Sequence, residues 1–298
     1  MKQLFHSLLQ ILLLAAVMLG VILIVPAKRW LREKREETVV QEEPVPEETP
    51  EETEVAEEEP VSDELKYVYR EMLDEEQKTV YQDAYEAALE ARRSFTPSVL
   101  LPSEEIKPVL EALNYDHAEL FWLDISFSYM YDDEGLCHEI MLDYTEEADD
   151  LDASKENFQN STEEIISAAK ELSSDYDKEV YVHDALLDLI EYDEEAGNDQ
   201  SAYGAVVNGR AVCAGYAKAF QYIMDELNIP VYYVTGRAED TDHAWNIILL
   251  DGKYYNVDLT WDDQTPDRYF CFNRSDEVFS ADHERSGMSE NLPACTDE

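Results

Sequence analysis

The chain has 298 residues and a formal net charge of −47, a length that suits one large or two modest domains. The excess of acid argues against nucleic-acid binding, because neutralising phosphates requires clusters of Lys and Arg. The four cysteines show no Cys-x-x-Cys spacing, and in a chain of this length they are not a disulfide scaffold. We therefore expect no nucleic-acid partner, no metal and no cofactor.

An apolar run stands near the start of the chain. No Asp, Glu, Lys or Arg occurs between Gln3 and Ala27, and residues 8–26 are long enough to cross a membrane once as a helix. We assign residues 1–35 to a membrane anchor or signal segment, and we expect the folded part to lie outside the cytoplasm. The basic residues after the run would, by the positive-inside bias, favour the opposite orientation. Cleavage after Val25-Pro26-Ala27, followed by secretion, is a further alternative.

An acidic segment follows the apolar run. No Lys or Arg occurs from Glu36 to Glu64, and Glu, Pro, Val and Thr dominate the composition. Such a segment repels itself and cannot bury a core. Residues 36–63 are therefore predicted to be a disordered linker that holds the folded part away from the membrane.

Residues 64–150 are predicted to form an accessory α+β region. Apolar residues at helical spacing predict a long helix over 63–93, and an acidic first turn predicts a second helix over 103–114. Alternating residues predict two strands, 121–130 and 137–144, joined by an acidic Gly-containing turn. This region shows no convincing chemistry of its own.

Residues 151–285 are predicted to form the main domain, and residues 286–298 a flexible tail. A capping-box sequence at Ser161 predicts a helix start, and two more helices are expected over 177–192 and 213–227. The strands are predicted over 230–235, 243–250, 253–260 and 268–273.

Three of the cysteines carry simple structural expectations. Cys137 and Cys271 are predicted to be small buried residues in strands. Cys295 lies in the polar tail and is expected to be exposed.

The clearest hairpin in the chain has Asp251-Gly252 as its two-residue turn. Counting back from this turn, the pairing places His243 and Asp258 as diagonal neighbours on the same face of the two strands. Diagonal neighbours lie about 7–8 Å apart, within reach of an imidazole and a carboxylate. A slip of one residue would place them on opposite faces, so the turn favours their meeting.

Cys213 lies where a Gly-containing loop enters an amphipathic helix. The free N–H groups at a helix start favour a thiolate and could also stabilise an oxyanion. The order Cys213, His243, Asp258 is that of a nucleophile, a base and a residue that orients the base. Tyr203 and Trp245 are further candidates for contacts to an oxyanion or substrate.

These residues resemble the transglutaminase-like superfamily, especially its bacterial members, over about residues 160–285. The matching segments are Tyr203-Gly204-Ala205, Val212-Cys213-Ala214-Gly215-Tyr216-Ala217, Gly236, His243-Ala244-Trp245-Asn246, Tyr254-Tyr255-Asn256-Val257-Asp258 and Thr260-Trp261-Asp262-Asp263. The resemblance implies a papain-like α+β fold, with the Cys helix packed on an antiparallel sheet that carries His and Asp. It also implies Cys213 as nucleophile, His243 as base and Asp258 as orienter.

The superfamily includes protein cross-linkers, peptidases, amidases and inactive proteins, so the resemblance leaves the reaction open. We expect a thiol enzyme that attacks peptide or protein amides, such as those of cell-envelope proteins, through a thioester. Water or an amine would resolve that thioester, and hydrolysis is slightly favoured because water needs no second binding site. A non-catalytic binding module of the same fold at the cell envelope is the alternative.

Overall fold

The computed structural model describes residues 61–297. The apolar run predicted to cross the membrane and nearly all of the acidic linker lie outside the described residues. No helix between residues 61 and 297 has the length and apolar content to cross a bilayer. The described part is a mixture of helices and sheets.

The N-terminal region begins with four helices. They are α1 (Asp63–Lys66), α2 (Val68–Glu71), α3 (Glu75–Leu89) and α4 (Ser103–Asp116). The prediction of one long helix over 63–93 is wrong, because the helix is interrupted and α3 begins anew after its N-cap residue Asp74. The Asp74 carboxylate accepts a hydrogen bond from the Gln77 amide, and the Gln77 side chain accepts one from the Asp74 amide.

The first sheet covers these helices and has the order β1-β3-β2. Its strands are β1 (Ser94–Phe95), β2 (Leu123–Tyr131) and β3 (Cys137–Tyr144), and all pairs are antiparallel. The predicted hairpin over 121–144 is confirmed. Cys137 is fully buried in β3, as its apolar character predicts.

A 3₁₀ turn (Glu146–Asp150) leads into α5 (Leu151–Lys170) and α6 (Asp175–Leu189). The predicted helix start at Ser161 is wrong, since α5 runs through this position. Asp150 caps the helix by accepting from the Ala153 amide. Thr162 is buried in the middle of the helix, where its hydroxyl donates to the Phe158 carbonyl.

The second sheet has the order β8-β7-β6-β9 and is antiparallel throughout. Its strands are β6 (Val231–Ala238), β7 (Thr241–Leu250), β8 (Lys253–Val257) and β9 (His283–Arg285). A separate short parallel pair is formed by β4 (Glu191–Tyr192) and β5 (Arg210–Ala211). Leu250 pairs with Lys253 around the Asp251-Gly252 turn, so the predicted hairpin register is confirmed.

The remaining helices are α7 (Ala202–Val206), α8 (Cys213–Glu226), α9 (Leu259–Gln264) and α10 (Asp276–Phe279). A last 3₁₀ turn spans Gly287–Asn291. The strand predicted over 268–273 is wrong, because this segment forms turns. Cys271 is nevertheless buried, and its amide donates to the Asp262 carboxylate at 2.6 Å instead of to a neighbouring strand.

The expectation that Cys295 is exposed is also wrong, since only 1% of it is accessible. The tail returns to the core, where the Cys295 amide donates to Asp276 and its sulfur accepts from Arg285. All four cysteines are free thiols. Cys213 is only partly buried, whereas the other three are buried.

Helix α8 packs across β6 and β7, and a continuous apolar core joins it to the N-terminal region. The described residues all belong to one compact unit. Hydrogen bonds across the boundary include the Tyr69 hydroxyl to the Tyr233 carbonyl at 2.5 Å and the Gln221 amide group to the Tyr115 carbonyl at 2.9 Å.

Candidate active site

Cys213 is the first residue of α8, after the extended N-cap residue Val212. The preceding loop is held close to the helix, because the Val212 amide donates to the Asp199 carbonyl at 3.0 Å. Gly215 permits this approach: a Cβ there would lie 2.5 Å from the Asp199 carbonyl oxygen. The thiol is therefore fixed at the helix end that presents free N–H groups.

The structure brings Cys213, His243 and Asp258 together. Nε2 of His243, on β7, donates to Oδ2 of Asp258 at 2.8 Å. The Cys213 side chain lies close enough to the His243 ring to contribute to the rise in its pKa. Because Nε2 is engaged by the carboxylate, Nδ1 is the ring nitrogen left for the sulfur.

Asp258 reaches this position as a helix cap rather than as a strand residue. The predicted strand over 253–260 ends at Val257, and Asp258 becomes the N-cap of α9. Its Oδ1 accepts from the amides of Thr260 and Trp261 at 2.9 and 3.2 Å. One carboxylate oxygen therefore caps the helix while the other is free to bind His243.

Helix α9 is itself anchored by a second buried His–Asp pair. Nε2 of His183, on α6, lies 3.0 Å from Oδ2 of Asp262, and both residues are fully buried. The same aspartate accepts from the Cys271 amide through Oδ1. This pair fixes the helix whose first turn orients the Asp258 carboxylate.

His283 is a site residue that sequence reasoning missed. It lies on β9, and its Nε2 is 3.2 Å from Oδ2 of Asp258, the oxygen that also binds His243. Its Nδ1 lies 2.6 Å from Asp282. The His283 ring packs on Phe279 and Trp261, with centroid distances of 3.9 and 4.5 Å.

Gly236 on β6 is the one sequence signal for this contact. A Cβ at Gly236 would collide with the Glu284 carbonyl and with the ring of Trp245. Glycine therefore allows β9 to pair with β6 beside the Trp245 ring. That pairing carries His283 to the Asp258 carboxylate.

The electrostatics of the site favour a charged His243 and a charged Asp258. Burial alone would lower the pKa of His243, but the hydrogen bonds and charges of Asp258 and Cys213 outweigh it and raise this pKa to about 10. Burial alone would raise the pKa of Asp258, but His243 and His283 hold it below its ordinary value. At neutral pH the pair is therefore an imidazolium beside a carboxylate.

The two further candidates lie in packing positions. The Tyr203 ring, on α7, is buried against Phe121 at a centroid distance of 4.9 Å. The Trp245 ring is buried beside His243 at 6.2 Å, and its Nε1 donates to Asn256. Trp245 thus forms the wall behind the imidazole, and its N–H group is already used.

His243, Asp258 and His283 together offer the donor types of a metal site, with ligand atoms within 4.8 Å of one another. Two imidazoles and one carboxylate suit zinc or a similar ion. Here, however, Oδ2 of Asp258 already accepts hydrogen bonds from both rings. A metal ion would have to displace both bonds, so the arrangement fits a hydrogen-bonded site better than a metal centre.

Comparison with known proteins agrees with this fold. Residues 163–259 match the family model of the transglutaminase-like superfamily. The matched segment contains Cys213, His243 and Asp258, so this part of the chain is similar to the transglutaminase-like superfamily. No curated protein matches the chain.

Two similar solved structures cover parts of the chain. One is a crystal structure of a TGase, with 16% identity over 56% of this chain and 50% of that chain, at a TM-score of 0.32. The other is a candidate cysteine protease from Cytophaga hutchinsonii, with 18% identity over 45% of this chain and 61% of that chain, at a TM-score of 0.30. In both cases this chain spans less than two thirds of the length of the similar structure.

Proposed function

We propose that the chain is a thiol enzyme that attacks peptide or protein amides through Cys213, His243 and Asp258. The observation that carries the proposal is the 2.8 Å hydrogen bond between the His243 imidazole and the fully buried Asp258 carboxylate, with the Cys213 side chain near enough to the same imidazole to help raise its pKa. Nucleophile, base and orienter at these positions are the arrangement that acyl transfer requires.

In the proposed reaction, His243 already holds the proton of the thiol as an imidazolium, and the Cys213 sulfur, as a thiolate, forms a bond to the amide carbonyl carbon. The carbonyl electron pair moves to oxygen, where the free N–H groups at the start of α8 stabilise the negative charge. The C–N bond then breaks, and the imidazolium donates its proton to the departing amine. An acyl thioester on Cys213 remains, while Asp258 keeps the ring in position and compensates its charge.

We propose water as the group that resolves the thioester, with an amine as the second possibility. His243 would take a proton from the attacking water, the C–S bond would break, and the carboxylic acid would leave. Water requires no second binding site, which is the reason for this preference. The apolar run of residues 8–26 and the acidic segment after it support action at the cell surface, with the domain tethered outside the cytoplasm.

Trapping of the acyl intermediate tests the proposal. A peptide library is incubated with the wild-type chain and with Cys213→Ala, quenched in acid, and searched for a mass adduct on residue 213. We expect an adduct on the wild type that hydroxylamine removes, and none on the variant. Absence of any adduct, together with iodoacetamide labelling of Cys213 no faster than that of a free thiol, would favour a non-catalytic binding module.

A further inference from the structure

Two neighbouring cavities lie between the N-terminal region and the transglutaminase-like core. The inner one has a volume of about 280 Å³ and the outer one about 670 Å³. Both are lined by Leu123, Asp124, Ile125 and Gln200, so they are two parts of one groove. We call it the α4–β2 groove, after the two N-terminal elements that form one of its walls.

The inner cavity ends close to the thiol. Tyr115 and Tyr233 line it, with ring centroids 5.4 Å apart. Tyr233 belongs to a small buried cluster that includes Ala214, and both Cys213 and Tyr115 pack against that cluster. A group that fills the inner cavity therefore contacts Tyr233, a residue of the cluster against which Cys213 packs.

The inner cavity is mainly apolar. Leucines of α4 and of the first sheet form its floor together with Phe127. Its two side-chain charges at the α4 side, Lys107 and Glu111, pair with each other at 3.4 Å. A cavity with this lining and volume suits an apolar side chain of about leucine size, whose burial favours binding.

The outer cavity is acidic. Its wall carries Asp124, Glu146, Glu147 and Asp199, against the single ammonium group of Lys218. That ammonium is already used, because Lys218 Nζ donates to Asn114 at 2.9 Å and lies 5.5 Å from the centre of the Tyr233 ring. Four carboxylates against one engaged cation favour a positively charged ligand.

One of these carboxylates lacks a donor. Glu147 is only 8% exposed, and its Oε2 is buried without a hydrogen-bond partner among the described residues. A buried carboxylate oxygen without a donor is unfavourable, because it has lost its water and gained no hydrogen bond in return. An ammonium or guanidinium group in the outer cavity would offset that cost.

We propose that the α4–β2 groove is the binding site for the acyl-donor peptide, with an apolar side chain in the inner cavity and a Lys or Arg side chain in the outer one. The assignment of the bound peptide as acyl donor rests on the proposed function, whereas the binding itself does not. The groove gives the N-terminal region a role, because without β2 and α4 one wall of the site would be missing.

Binding is measured by fluorescence anisotropy on the full chain carrying Cys213→Ala, which prevents turnover. The probes are three fluorescein-labelled peptides of the same length: Gly-Gln-Leu-Gly-Lys-Lys, the same peptide with Glu-Glu in place of Lys-Lys, and the same peptide with Ser in place of Leu. We expect the first peptide to bind at least tenfold more tightly than either of the other two. Equal binding of all three would overturn the proposal.

Charge variants separate the groove from the general acidity of the chain. Asp124→Asn, Glu146→Gln and Asp199→Asn are combined in one protein. The matched control combines three exposed acids elsewhere, Glu76→Gln, Asp133→Asn and Glu164→Gln, with the same change in charge. The groove variant should bind the Lys peptide about tenfold more weakly and the control less than twofold; equal effects of the two would show general attraction and refute the groove.

A steric variant tests the apolar half. Gln200 is exposed and lines both cavities, so Gln200→Trp fills the groove without altering the core. We expect it to weaken binding of the Leu peptide at least tenfold with an unchanged melting temperature. If the variant is unfolded, protection of Cys213 from iodoacetamide is measured in the wild type instead. The bound Lys peptide should slow this labelling severalfold. An unchanged labelling rate would count against the site.

The two proposals fail separately. If no thioester forms but the Lys peptide binds the wild type and not the groove variant, the enzyme proposal fails and the groove remains a binding site. If a thioester forms equally fast on wild type and groove variant, the enzyme proposal holds and the groove proposal is wrong.

Discussion

Asp258 is the residue on which the site depends most, because a single carboxylate caps α9 and binds two imidazoles. Asp258→Asn keeps the shape and the capping oxygen but removes the charge. We expect activity to fall on the order of a thousandfold, since the imidazole loses its orienting partner. Turnover of a peptide found by the trapping experiment measures the loss, and Asp242→Asn, at an exposed acid of β7, is the control.

The same substitution should change the pH dependence of stability. The pKa of His243 is raised in the folded chain, to about 10, so its stabilisation is complete below the unfolded value of about 6.5 and is lost as pH rises towards 10. The pKa of Asp258 is lowered, so its stabilisation is complete above about 3.9 and is lost as pH falls through the folded value.

The stability difference between wild type and Asp258→Asn should therefore be largest between about pH 5 and 6.5 and should shrink as the pH approaches 10. Urea denaturation at five or six pH values measures it. A difference that grows between pH 7 and 10 would mean that the imidazolium–carboxylate pair does not stabilise the fold.

His283 acts through Asp258 and is a positioning residue. His283→Phe preserves the ring that packs on Phe279 but removes the donor to Oδ2 of Asp258. A hydrogen bond to a charged group contributes about 1.5–3 kcal/mol, so kcat/KM should fall tenfold or more. With one donor fewer, the pKa of Asp258 rises and the acid limb of the pH–rate profile moves to higher pH.

His283→Gln, whose side-chain amide can reach the same carboxylate, should recover part of the rate and restore the acid limb. If both variants lose the same activity with an unmoved acid limb, His283 serves packing alone.

At the scale of elements, the site depends on how closely the loop before α8 approaches that helix. Gly215→Ala would place a Cβ 2.5 Å from the Asp199 carbonyl oxygen and 2.6 Å from the Ala211 side chain. Overpacking of this kind costs roughly 1–3 kcal/mol, and the displaced helix start should also slow alkylation of Cys213. Gly197→Ala, where nothing lies within 4 Å of the new Cβ, should leave both quantities unchanged.

The elements that the sequence predicts well are those set by local chemistry. The Asp251-Gly252 turn has φ values of 50° and 77°, which these two residues adopt readily, and the turn fixes the register of β7 and β8. The start of α8 and the strand of His243 follow from equally local patterns. These features were enough to expect Cys213, His243 and Asp258 in one place.

The elements that were mispredicted are decided by distant partners. The Asp262 carboxylate accepts a hydrogen bond from the Cys271 amide, so residues 268–273 form turns instead of a strand. Arg285 and Asp276 hold the Cys295 segment against the core, and no local pattern reveals this. His283 reaches Asp258 only because β9 pairs with β6 at the far edge of the sheet, a pairing of residues distant in sequence.

At the scale of the whole molecule, the N-terminal region and the core share buried polar contacts as well as apolar ones. The Tyr69 hydroxyl is bonded to the Tyr233 carbonyl and lies 2.7 Å from the Ser289 hydroxyl. Loss of the N-terminal region would leave the Tyr233 carbonyl and the Ser289 hydroxyl without their Tyr69 partner. It would also remove one wall of the α4–β2 groove. Substrate binding and folding should for this reason depend on the same interface.

The described part should unfold as one cooperative unit. Cys137 is buried in the first sheet and Cys271 in the core, so each thiol reports exposure of its own region. Pulse labelling with iodoacetamide across a urea series, followed by mass spectrometry, measures the urea concentration at which each thiol is half exposed. This midpoint should be the same for both thiols. Tyr69→Phe removes a buried hydroxyl and should lower the free energy of unfolding by about 1–3 kcal/mol. Both urea midpoints should therefore fall together. Tyr181→Phe, at a partly exposed tyrosine, is the control. A lower midpoint for Cys137 alone would mean that the N-terminal region opens independently of the transglutaminase-like core.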